Sequence, residues 1–187
     1  LLDDICLSMK TGNCLAVLGA NGSGKSSLLK YLGSEDSPLA EETAIMFQDP
    51  DDQIIASTVD RELTLGRDGL QTGPVLDEFH LTGLGDIDPR LLSAGQKQRL
   101  VLAVALAAGP QVLLTDEPTA LQDQHQSQWI LNRLEEWVSH SGRTLITATC
   151  DRREAIRAQE ILVLDQGKVV LHGPASELID DPRVVAL

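Results

Sequence analysis

The segment GANGSGKSS, residues 19–27, lies between the apolar run CLAVL and the segment LLKYL. That arrangement allows few folds. Leu15 to Leu18 reads as a short buried strand and Ser26 to Leu32 as a helix entered from a glycine-rich turn. Gly19, Gly24, Lys25 and Ser26 fit the pattern G-x-x-x-x-G-K-[ST] in the strand-loop-helix context that gives the pattern its meaning. Glycines let backbone N–H groups converge on phosphate oxygens, and the following helix directs its positive end at them. Asn21, Gly22, Ser23, Gly24 and Ser27 are then the expected cradle, Lys25 reaches the β- and γ-phosphates, and the Ser26 hydroxyl ligates Mg²⁺. The bland alternative is a glycine-rich turn with an exposed lysine. The flanking strand and helix argue against it.

Beyond this loop, strands and helices alternate. AIMF (44–47) reads as a second strand followed by the turn-rich DPDD, and VLLT (112–115), TLITAT (144–149) and ILVL (161–164) as three more. Helices are expected from about Ala94 to Ala108, stopped by Gly109 and Pro110, and along a segment that carries Trp129, Ile130, Leu134, Trp137 and Val138 on one face. DQGKVVL closes with a hairpin, and a last helix lies near Ser176. From about Thr58 to Arg90, Gly66, Gly69, Gly73, Gly83 and Gly85 break the pattern into short helical pieces. The predicted fold is therefore α/β, a mostly parallel sheet flanked by helices with a small helical lobe. A single domain of 1–187 is expected, with 1–57 and 110–187 as core and about 58–109 as lobe.

Composition excludes several classes. At 187 residues and 42% hydrophobic the chain can bury a proper core. The longest apolar stretch, LVLAVALAAG from Leu100 to Gly109, is far below the about 18 residues of a membrane span. No basic leader precedes LLDDIC, so a cytosolic setting is expected. A net charge of −13 and five aromatic residues (two Trp, one Tyr, two Phe) weigh against a nucleic-acid partner. Cys6, Cys14 and Cys150 have no C-x-x-C spacing and are expected as small buried hydrophobes.

A phosphate loop needs a carboxylate at the end of another buried strand. VLLTDEP supplies Asp116 for Mg²⁺ and Glu117 as a general base for the attacking water. Between loop and carboxylates lies LLSAGQKQR, residues 91–99, in which the Ser93 hydroxyl and the N–H groups of Ala94 and Gly95 form an anion site at a helix N-terminus.

The order of phosphate loop, Gln48 after a strand, S-x-G-Q at Ser93 to Gln96 and hhhhDE resembles the nucleotide-binding subunit of ABC (ATP-binding cassette) transporters. The resemblance runs over nearly the whole chain, with a D-loop near Asp123 and a C-terminal turn at Asp165 to Gly173. It implies a P-loop NTPase fold with a small helical lobe and an antiparallel β-lobe. It also implies ATP and Mg²⁺ as ligands, and a second ABC ATPase subunit, in homo- or heterodimer, whose Ser93, Gly95 and Gln96 close over the first subunit's nucleotide. Gln48 is implied as a catalytic and metal-side residue beside Ser26 and Asp116. FQDPDDQ, residues 47–53, is similar to a stretch of the energy-coupling-factor and cobalt or nickel importer ATPases. That implies a vitamin or metal-ion importer, a transmembrane coupling protein touched by the loop and the lobe, and a place on the cytoplasmic face of the membrane.

Four departures qualify the resemblance. TATCDRREA puts Cys150 where the family has its switch histidine, and a thiol is a weak hydrogen-bond donor, so hydrolysis is expected to be impaired. His140 and His172 are expected on the surface rather than as substitutes. Ala94 stands in the signature where glycine is usual, and TALQDQ matches the D-loop at Asp123 but not at Leu121 and Gln122. Lys25 and Gln48 are only 23 positions apart, so the antiparallel β-lobe is expected to be reduced, by truncation or as a compact variant. Three readings stay open: an ATP-hydrolysing importer subunit, a nucleotide-binding regulatory half of a heteromeric pair, and an ABC ATPase outside transport.

Overall fold

A computed structural model describes residues 2–3, 5–120, 122–139 and 142–185. Six strands form one sheet: β1 Cys14–Leu18, β2 Thr43–Met46, β3 Val112–Asp116, β4 Thr144–Thr149, β5 Glu160–Asp165 and β6 Lys168–Pro174. Their order is β2-β3-β4-β1-β5-β6, with β2, β3, β4, β1 and β5 parallel and β6 antiparallel on the edge. The helices are α1 Lys25–Leu32, α2 Val59–Thr64, α3 Thr72–Glu78, α4 Ala94–Ala107, α5 Gln124–Ser139, α6 Arg152–Ala155, α7 Ala175–Leu178 and α8 Pro182–Val185.

Alternation along the strands sorts the core into two faces. Leu15 and Val17 of β1, Leu114 of β3, Ile146 of β4 and Leu162 of β5 pack on one side against Leu28 and Leu29 of α1. On the other side Ala16, Leu18, Ile161 and Val163 meet Ala155, Ala175 and Val184 from the C-terminal helices. Leu113 and Leu145 on that side meet α4 and α5, in a cluster that also takes in Val59, Leu63, Leu76 and Phe79 of the intervening segment. Of the face expected on α5, Ile130, Leu134, Trp137 and Val138 are buried, and Trp129 is partly buried edge-on to Phe79.

The short helical pieces between 58 and 90 are present as α2 and α3, but Gly73 does not break the pattern: it lies in the first turn of α3. There its N–H has no helical partner to lose, and Pro74 follows it in the same turn. The β5–β6 hairpin turns on Gln166 and Gly167, both at positive φ (47° and 79°), as a tight two-residue turn requires. Among the described residues, β5–β6 is the only antiparallel pairing, in line with the expected reduction of the β-lobe. No helix among them is long and apolar enough to cross a membrane.

The cysteines depart from expectation. Cys6 and Cys150 are exposed. In the extended segment before β1, Ile5 and Leu7 pack on the α1 side of the core and leave Cys6 facing out, while Cys150 follows the last buried residue of β4. Only Cys14 is shielded: burial, with the charge of Glu135, pushes its thiol up to about 12. His172 is exposed on β6, 3.1 Å from Glu160, as expected of a surface histidine, whereas His140 and Leu121 lie outside the described residues.

Candidate nucleotide-binding and hydrolytic site

The parallel register carries four strand ends to one edge of the sheet. Leu18 of β1 lies opposite Thr149 of β4, Asp116 of β3 opposite Ala148, and Met46 of β2 opposite Thr115. The residues that follow are therefore neighbours: Gly19 after β1, Cys150 after β4, Glu117 after β3 and Gln48 after β2. A crevice outside the carboxyl ends of parallel strands is where open α/β sheets bind ligands.

The phosphate loop surrounds a cleft of about 810 Å³ lined by Asn21, Gly22, Lys25, Ser26, Gln48 and Glu117, with Gln166 and Gly167 from the β5–β6 turn. Four observations fit it to a phosphate chain. Gly22, at φ 82°, has no atom within 4 Å of where a Cβ would stand, so its backbone is bare toward the opening. Gly19 has no such room: a Cβ there would lie 2.4 Å from the carbonyl oxygen of Leu164 and 2.4 Å from Ser23 Oγ. Ser23 Oγ is buried without a protein partner. Lys25 is buried, its Nζ donating to the carbonyls of Gly19 (2.7 Å) and Ala20 (3.3 Å), which places a full positive charge inside the loop.

A recess beside the loop is lined by Ser26, Gln48 and Asp116, with Lys30, Phe47, Asp49 and Asp52 around it. Its donors are hydroxyl, amide and carboxylate oxygens, the set Mg²⁺ takes when phosphates supply the rest. No cluster of three or more His, Cys, Asp or Glu suited to a metal occurs among the described residues.

Glu117 holds the centre of the edge. It is a non-glycine residue in the left-handed region (φ 47°), with its N–H donating to Ala148 at 2.9 Å. Such a conformation costs on the order of 1 kcal/mol and aims the side chain out of the strand's own line. Its carboxylate accepts from Gln48 Nε2 at 3.2 Å. Cys150 lies against the same carboxylate: burial, followed by the charge and hydrogen bond of Glu117, raises the thiol above its ordinary range while Lys25 pulls it down. At neutral pH the thiol is protonated.

Ser93, Gly95 and Gln96 line neither the loop cleft nor the recess. Ser93 caps α4, its Oγ accepting from Gln96 N–H (3.3 Å) while the Gln96 side chain accepts from Ser93 N–H (2.9 Å). Both are exposed enough at the helix start to meet a second molecule, but Gln96 is engaged in the cap. Asp123 likewise has a local duty, accepting from Gln126 N–H at the start of α5 (2.9 Å).

Sequence reasoning missed the residues that hold the Gln48 loop. Gln53 latches onto β2, donating to Ile45 O (2.7 Å) and accepting from Phe47 N–H (2.7 Å). Lys97 of α4 pairs with Asp51 at 2.6 Å, and buried Glu62 of α2 accepts from Ile55 and Ala56 N–H. Lys97 thus ties FQDPDDQ to α4, and Glu62 ties the residues just after it to α2. Only long-range contacts give them meaning, and no local pattern marks them. Gln166 was missed for the same reason: the hairpin delivers it to the loop from 140 positions downstream of Ser26.

Comparison with known proteins bears on the family and the fold. Residues 2–120 match the family model described as ABC transporter. The chain is 31% identical over 209 residues to the energy-coupling factor transporter ATP-binding protein EcfA1 of Clostridium novyi, with 96% of this chain and 75% of that protein aligned. Among solved structures it is similar to cbiO1 from Clostridium perfringens, described as part of the ABC transporter complex cbiONQ, with a TM-score of 0.80 and 28% identity over 99% of this chain and 86% of that one. A dimeric ATP-binding cassette in a post-hydrolysis state bound to ADP and Pi shares the fold at TM-score 0.81 and 24% identity, over 93% of this chain and 90% of the other. The chain belongs to the ABC transporter family, and its fold is the P-loop NTPase fold of that family's ATP-binding domains.

Proposed function

We propose that this chain is the ATP-hydrolysing subunit of an energy-coupling-factor type importer. The observation that carries the reading is the convergence of the phosphate loop, Gln48, Asp116 and Glu117 on one sheet edge, in a chain whose relatives bear that name. Asn21 to Ser27 hold the phosphates through backbone N–H groups, and Lys25 supplies positive charge. Ser26, Asp116 and Gln48 hold Mg²⁺, which, when bound, neutralises charge on the β- and γ-phosphates. Gln48 orients a water, and Glu117 takes its proton as the new bond to γ-phosphorus forms and the bond to the bridging oxygen breaks. Ser93 and Gly95, which line neither the cleft nor the recess of their own chain, act on the nucleotide of a second ABC subunit.

The core of 1–57 and 110–187 carries the nucleotide, and the lobe of about 58–109 meets a transmembrane partner on the cytoplasmic face. Exposed Ile55 and Leu91 (73% and 79% accessible), beside the Gln48 loop and just before Ser93, support a contact there. The transported solute in this reading is a vitamin or a transition metal ion, which never touches this chain.

A specific observation favours a second reading. Cys150 stands at the β4 end with a protonated thiol on Glu117, so the chain is also suited to be the slow half of a heteromeric pair. Steady-state hydrolysis of saturating Mg-ATP by the purified chain, beside Cys150→His and Glu117→Gln, separates the two. A native rate abolished by Glu117→Gln supports the working subunit. A negligible native rate restored by Cys150→His supports the slow half, and ATP affinity unchanged by Lys25→Ala would sink both.

A further inference from the structure

Glu154, in α6, is a buried carboxyl without an assigned role. One oxygen, Oε1, accepts from the Thr119 hydroxyl in a short contact, and the other, Oε2, is buried with no protein partner. Thr149, the last residue of β4, faces the same carboxyl. Thr119 lies two positions after Glu117, and its carbonyl accepts from Gln122 N–H (3.0 Å). Thr149 immediately precedes Cys150, and its hydroxyl accepts from Asp151 N–H (3.0 Å). The Glu154 N–H donates to Asp151 O (3.0 Å). One side chain thus reaches both loops that bring Glu117 and Cys150 together. All of these groups border one cleft of about 470 Å³, with Arg153 and Arg157 also in its wall.

We propose that Glu154 is a positioning residue for hydrolysis: its buried carboxyl holds Thr119 against the end of β4 and so fixes Glu117 relative to Cys150 and to the water it activates. The inference rests on the reading of Glu117 as the base. Burial raises the Glu154 pKa, and the charges of Asp151 and Glu117 act in the same direction, against the lowering effect of the two threonine hydroxyls. What the geometry uses is an oxygen that accepts from the Thr119 hydroxyl. The side chain that reproduces it is therefore glutamine.

The test uses the full chain with Cys6 replaced by serine, so that iodoacetamide reports on Cys150. Cys14, with its thiol pushed up to about 12, stays silent at pH 8. Glu154→Ala and Thr119→Val are each expected to lower kcat about tenfold at unchanged KM for ATP, and to speed Cys150 alkylation about fivefold as Glu117 leaves the thiol. Glu154→Gln and Thr119→Ser, which keep the acceptor and the hydroxyl, are expected to stay within about twofold of the parent in both readouts, and the Ala/Val double variant to be no worse than either single one. The proposal is overturned if Glu154→Ala leaves both readouts unchanged, if it only lowers the melting temperature, or if Glu154→Gln is as impaired as Glu154→Ala. Alkylation needs no turnover, so a chain that hydrolyses nothing is still decided by it. Glu117→Gln, run alongside, identifies failure of the base assignment separately: hydrolysis that survives it removes the base while leaving the Thr119–Glu154 coupling readable.

Discussion

The ends of β3 and β4 are neighbours built alike and finished differently. The strands run parallel in register from Val112 opposite Thr144 to Asp116 opposite Ala148, both buried along their length, and a hydrogen bond between Thr115 and Thr147 hydroxyls (2.9 Å) clamps them just before they end. β3 finishes in two carboxylates, one buried and one swung out by a left-handed backbone. β4 finishes in an exposed thiol that leans on the second of them. The residues that end two neighbouring strands therefore carry unequal chemistry. The sheet guarantees where a group stands, and the side chain alone decides whether it can take a proton, hold a metal or do neither.

The most direct way to break the comparison is at β3. Glu117→Gln is expected to slow hydrolysis about 1,000-fold while ATP binding, followed by equilibrium titration, stays within a few-fold. A loss of binding as large as the loss of rate would deny β3 its special standing. Lys25→Ala, at the neighbouring end of β1, is expected to weaken ATP binding about 100-fold, or about 2.7 kcal/mol, by calorimetry. Cys150→His sharpens the β4 side: imidazole donates a stronger hydrogen bond than a thiol, and kcat is expected to rise about tenfold with KM little changed.

Smaller effects probe the scaffold. Ser93→Ala removes the α4 cap and is expected to cost about 1 kcal/mol in urea unfolding. The smallest effect concerns pH. Glu154 has its folded pKa raised, so its contribution to stability is complete below the unfolded carboxylate value and is lost as pH rises through the folded one. Melting temperatures measured from pH 4 to pH 8 are expected to fall less in Glu154→Gln than in the parent. An equal fall in both would mean that burial does not govern this carboxyl.

Local signals in the chain were enough for the phosphate loop, the buried strand ending in Asp116 and Glu117, the Ser93 cap and the alternation that makes a parallel sheet. Each depends on short-range rules: apolar runs of strand length, glycines where N–H groups must converge, a hydroxyl before a helix. Gly73 was misjudged because a glycine signals a break only where its freedom is used, and in the first turn of α3 it is not. The exposure of Cys6 and Cys150 escaped composition, which ranks cysteine as a buried type without knowing which side of a strand it faces.

The amino-acid sequence by itself determined the elements, their order and the chemistry each strand end carries, because those follow from contacts within a few residues and from side-chain type. The tertiary structure alone decided that Cys150 lies on Glu117, that Glu154 reaches Thr119, that Lys97 holds Asp51 and that Gln166 overlooks the phosphate loop. These pairs are 33, 35, 46 and about 140 positions apart along the chain. They are set by strand order and register, which arise when two faces of a sheet are buried together, and no local stretch of the chain encodes them.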